Sequence, residues 1–71
     1  MREIYSQYEY EIYEDPLENN HWLYNIYNPD YRVFDDKHEI AIRQSTEWFE
    51  SAQRARFAAI GHISLLEEGE G

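Results

Sequence analysis

The chain contains no cysteine. Disulfide staples and thiolate metal sites are therefore excluded, and the absence fits a reducing, cytoplasmic compartment. Cations are scarce: 6 lysines and arginines stand against 15 acids, for a formal net charge of -9. Non-specific binding to nucleic acid depends on cations that neutralise phosphates, so direct nucleic-acid binding is not expected. No apolar run is long enough for a signal peptide or a membrane span. With only 3 glycines, there is no glycine-rich phosphate loop and no G-x-S-x-G nucleophile elbow. Ser6, Ser45, Ser51 and Ser64 read instead as strand, turn, cap and helix-surface residues.

Aromatic residues make up 17% of the chain, and 7 of them are tyrosines. The 71 residues read as a single domain over 1–68, with a frayed polar tail at 69–71. A domain this small buries only about 60% of the surface its unfolded chain exposes. Large rings are an efficient way to fill so small a core.

Alternation of apolar and polar residues predicts a first strand from about Tyr5 to Glu14. It places Tyr8, Tyr10 and Ile12 on one face and Glu9, Glu11 and Tyr13 on the other. Asp15 to Asn20 reads as a loop. His21 to Tyr27 is a second strand, and Asn28 to Tyr31 ("NPDY") is a tight turn. Arg32 to Phe34 then forms the return arm of a hairpin, interrupted by a loop or bulge at Asp35 to His38. Glu39 to Ser45 is a third strand or the continuation of that arm. The period then changes to that of a helix. Ser51 is the expected N-cap, and Ala52, Ala55, Ala59, Ile63 and Leu66 form an apolar stripe running to about Glu68. Gly61 weakens this helix by about 1 kcal/mol relative to alanine and marks a close contact.

The expected fold is α+β: a three-stranded antiparallel sheet, four-stranded if the Arg32–Phe34 arm counts separately, with one C-terminal helix packed on one face. The expected core is Tyr10, Ile12, Trp22, Tyr24, Ile26, Ile40, Ile42, Phe49, Ala55, Ala59, Ile63 and Leu66. The second face of the sheet would then lie uncovered.

The candidate chemistry is that of a binding protein. His21, His38 and His62 fall in different elements with no metal-ligand spacing. The acid-rich Asp35–Glu39 lacks the glycine turn of a cation loop. No cofactor and no metal are expected. A chain of this length is not expected to enclose a pocket of several hundred cubic ångströms while keeping its core, so no enzyme is expected. Glu9 and Glu11 lie about 6.5–7 Å apart along a strand, close to the spacing of phosphates along one DNA strand, and Glu14, Asp15 and Glu18 extend the acidic zone. Such a row suits a DNA mimic directed at a basic protein; a solvated edge that discourages aggregation is the plainer alternative. Tyr13, Tyr27 and Tyr31, with Phe57 nearly opposite the helix stripe, are candidate partner contacts, because tyrosine combines large area with a polar tip.

The hairpin ending "NPDYRVF", followed by "EWFESAQRARFAAIGHI", resembles a plan found in small bacterial and phage domains. Antitoxins of the HicB type have a similar strand-strand-strand-helix order and acidic bias. The glycine-rich strand features of that family are absent here, and no functional residue carries over. The resemblance implies a partner rather than a reaction. The expected function is that of a small acidic protein-binding module, a regulator or inhibitor of a larger basic protein. The alternative is a homodimerising structural domain.

Overall fold

The computed structural model describes residues 2–69; Met1, and Glu70 and Gly71 of the expected tail, lie outside the described residues. Six strands precede one helix: β1 (Arg2–Tyr5), β2 (Tyr8–Glu14), β3 (Trp22–Tyr27), β4 (Phe34–Asp35), β5 (His38–Glu39), β6 (Arg43–Gln44) and α1 (Ala52–Glu67). The main sheet is antiparallel and four-stranded, in the order β1-β2-β3-β6, while β4 and β5 form a separate two-stranded ribbon. The α+β class is as expected.

The fourth strand has a different source from the one expected. The long first strand breaks at Ser6–Gln7, a two-residue turn between the paired Tyr5 and Tyr8. Ser6 sits there at a φ of 57°, a left-handed conformation that glycine adopts more readily. "SQ" carries no turn signature, which is why the sequence conceals this hairpin. The Ser6 hydroxyl donates to the Glu67 carboxylate, tying the turn to the end of the helix. The Arg32–Phe34 arm does not pair with β3. It turns into the β4–β5 ribbon around Asp36, at a φ of 59°, and β6 takes the place beside β3.

Register sets the two faces. Tyr10 opposes Ile26 and Ile12 opposes Tyr24; these side chains meet the helix. Tyr10, Tyr24, Ile26, Ala59 and Ile63 form the buried cluster, with Ile12, Ile42, Phe49 and Leu66 partly buried against it. Ala55 is also fully buried, and small alanines let α1 lie close to the sheet. The expected parity of the strands is therefore the observed one. Ile40 is the exception in the expected core. It ends the outer ribbon, bonded through its backbone to Val33 at 2.8 Å, and is exposed. Trp22 is only half-buried.

Ser51 caps α1 as expected, its side chain accepting from the Arg54 backbone N–H at 3.2 Å. At the other end Gly69, with a φ of 87°, bonds back to the Leu66 carbonyl at 3.0 Å. It is therefore the helix stop.

The second sheet face is not bare. Arg32 and Glu39 reach over it to Glu9 and Arg2, and Tyr27 beneath the Arg2 guanidinium is buried. The two faces of β3 thus bury side chains under different partners, the helix on one side and the Arg2 guanidinium on the other.

Truncating Ile26 or Ile63 to alanine should cost about 2–5 kcal/mol in chemical denaturation, the usual range for a fully buried isoleucine. Ile4→Ala, at a position 71% exposed, should stay within about 0.5 kcal/mol of wild type. Comparable losses at all three positions would contradict this placement of the core.

Candidate functional site

On the outer face the acidic row of β2 meets arginines of its own chain. Arg32 Nη2 donates to Glu9 Oε1 at 2.7 Å and Arg32 Nη1 to Glu39 Oε2 at 2.8 Å. Arg2 Nη1 donates to Glu39 Oε1 at 2.7 Å, and its guanidinium lies 3.6 Å from the centroid of the Tyr27 ring. Glu11 Oε1 accepts from the Tyr27 hydroxyl at 3.1 Å. Burial pushes the Tyr27 phenol up, and the Glu11 charge adds to this. At Glu39 burial alone would raise the carboxyl, but the bonds from Arg2 and Arg32 outweigh it and hold the group below its ordinary value. This network fastens the β4–β5 ribbon to the sheet. Glu9 and Glu11 do not stand free in solvent as the alternation alone implied.

The other expected contact residues scatter. Glu14 Oε2 accepts from the Asn20 backbone N–H at 2.9 Å and Asp15 Oδ1 from that of Leu17 at 2.9 Å, so both carboxylates organise the β2–β3 loop. Glu18, in the same loop, is exposed. Tyr13 is half-buried opposite Leu23. Tyr27 is a buried residue of the outer layer, not a surface contact. Tyr31 and Phe57 are exposed, at 70% and 63%, on separate elements. Among the described residues no group of three histidines or acids is placed to hold a metal ion, and no helix is long and apolar enough to cross a membrane.

What the structure does assemble is a groove between α1 and the segment entering it. The β3–β6 ladder pairs Asn25 with Gln44, but three positions along β3 Trp22 and Phe49 bond to each other through both backbone groups, each at 2.9 Å. Two more residues lie on the β6 side than this ladder requires, so the chain between Ser45 and Phe49 loops outward. Trp48 steadies the loop through a ring contact with His21, centroids 3.9 Å apart. The loop faces Ala58, Gly61, His62 and Leu65 of α1 across a groove of ≈ 590 Å³, with Tyr24, Thr46, Glu47 and Phe49 completing the lining. That volume exceeds the expectation for so short a chain because the groove is an open surface cleft, not an enclosed cavity.

Two polar groups of the lining bond to each other. The Tyr24 hydroxyl and His62 Nδ1 are 2.9 Å apart, with the rings edge-on at 5.9 Å. Burial raises the Tyr24 phenol, and the negative charge of Glu47 raises it further. The phenol therefore stays protonated near neutrality, and the direction of its bond with His62 follows the imidazole tautomer. Sequence reasoning assigned Tyr24 and Phe49 to the core, where each indeed has one side. The legible signal of the groove was Gly61, a glycine inside a helix.

No protein-family model matches the chain, and neither a curated protein nor a solved structure shows significant similarity to it.

A depressed carboxyl contributes stability that is present above its ordinary value, 4.5 here, and lost as the pH falls through its folded-state value. Wild type should therefore lose melting temperature more steeply than Glu39→Gln between about pH 6 and pH 3, with the two curves converging toward the acid end. A constant gap between them would show that the arginine bonds to Glu39 carry no pH-dependent stability.

Proposed function

We propose that the protein is a small acidic binding module that regulates or inhibits a basic partner protein, and that it engages the partner at the groove between α1 and the Ser45–Phe49 loop. The observation that carries this reading is the groove itself: an open, aromatic and aliphatic cleft of ≈ 590 Å³ with the Glu47 carboxylate in its lining, in a chain of net charge -9. Pockets that recognise ligands are mostly apolar with a few placed polar groups. Acidic charge steers a basic partner toward such a surface. Nucleic-acid mimicry by Glu9 and Glu11 is the less favoured form of the proposal, because a partner would first have to displace Arg2, Arg32 and the Tyr27 hydroxyl. The groove needs no such displacement.

A second reading rests on β1. It is an edge strand of the sheet and carries the exposed Ile4, so pairing with a second copy at this edge is the form a structural homodimer would take. Sedimentation across a wide concentration range separates the two readings: a monomer throughout removes the dimer.

Immobilised wild type should retain a protein with a basic surface from a host lysate, releasing it as salt is raised, and Glu47→Lys should not retain it. If wild type and Glu47→Lys hold the same proteins, or nothing is held at low salt, the proposal fails.

A further inference from the structure

Gly61 lies inside α1, where glycine is about 1 kcal/mol less favourable than alanine. Nothing within the molecule calls for it. Its φ is not in the left-handed region, and a Cβ built at this position meets no atom within 4 Å among the described residues. The helix residues that do press on the sheet, Ala55 and Ala59, are alanines and are fully buried. Gly61 instead belongs to the lining of the groove. The close contact its presence implies is thus not made by this chain, and the helix wall is bare where it opens outward.

The lining also limits what can fill it. Tyr24 and His62 bond to each other, and Phe49, Ala58 and Leu65 offer apolar surface. Glu47 adds a carboxylate whose negative charge reaches the Tyr24 phenol. The matching occupant is an apolar stem with a cationic end. Lysine and arginine have this form, and they lay their stems along apolar surface while the charged head stays with polar groups.

Building on the reading of the groove as the partner site, we infer that it holds a lysine or arginine side chain of the partner, its stem across Phe49 and Leu65, its charge at Glu47, and its backbone drawn close to the bare helix at Gly61. The methyl-free wall lets the partner backbone approach; the carboxylate selects the side chain.

The test uses a short peptide of alternating lysine and alanine, the same peptide with its lysines acetylated, and amide chemical shifts of the full chain. The lysine peptide should shift the amides of Glu47, Phe49, Gly61 and Leu65 saturably. The acetylated peptide, which keeps the stem and loses the charge, should bind at least about tenfold more weakly. Gly61→Ala should melt above wild type, because alanine favours the helix and meets nothing. Gly61→Leu fills the space with another good helix former; it should melt no lower than wild type yet bind the lysine peptide at least about tenfold more weakly. Equal affinity for the acetylated peptide, or undiminished binding by Gly61→Leu, overturns the inference. Shifts confined to β1 and β2 would remove the groove as the lysine site while leaving a basic partner in place. Capture of a basic protein that leaves the Gly61 amide unmoved would do the same.

Discussion

Three buried tyrosines, Tyr10, Tyr24 and Tyr27, impose the constraint around which the rest of the molecule is arranged. A short chain with few aliphatic residues fills its interior with rings, and each ring carries a hydroxyl that is costly to bury unbonded. Each one finds a partner on a different element. Tyr10 donates to Glu3 at 2.7 Å on β1 and accepts from Arg56 Nε at 3.0 Å on α1. Tyr24 meets His62 on α1, and Tyr27 donates to Glu11 on β2. The hydroxyls thereby join the edge strand, the helix and the outer face to the two central strands. The apolar bodies supply the burial, and the polar tips decide where the neighbouring elements sit.

The same constraint explains how the acidic composition is accommodated. Glu3 and Glu11 serve buried phenols, while Glu9 and Glu39 hold Arg2 and Arg32 over the outer face. Part of what looks in the sequence like a uniformly acidic surface is therefore internal wiring. The acids of the β2–β3 loop have a third use, fixing backbone N–H groups. Glu47 differs from all of these in lining an open groove.

Much of this was readable beforehand. The parity of β2 and β3, the Ser51 cap and the Ala55–Ala59–Ile63 stripe follow from periodicity and capping chemistry, which are local. What was not readable depended on pairing across the chain. Ser6 takes a left-handed conformation without glycine, so its turn carries no compositional mark. Ile40 and Ile42 share a strand parity in the sequence, yet the chain turns between them, leaving one on the outer ribbon and one against the core. The β4–β5 ribbon is held by arginine–carboxylate bonds between positions up to 37 residues apart, and no window of sequence displays such a bond. The groove was concealed for the same reason: its walls come from two elements, and only Gly61 hinted at it.

The outward loop between Ser45 and Phe49 is tied at both ends to adjacent stretches of β3, by the Ser45–Tyr24 backbone bond at 2.9 Å and by the Trp22–Phe49 pair. Its length is therefore decoupled from the sheet. Residues could be inserted or removed between the two ties without moving the ladder, the helix or the buried tyrosines. One wall of the groove can in this way be widened, narrowed or re-lettered while the other, carried by the helix, stays fixed. That makes the loop the natural place for a designer to graft a binding preference onto an unchanged frame.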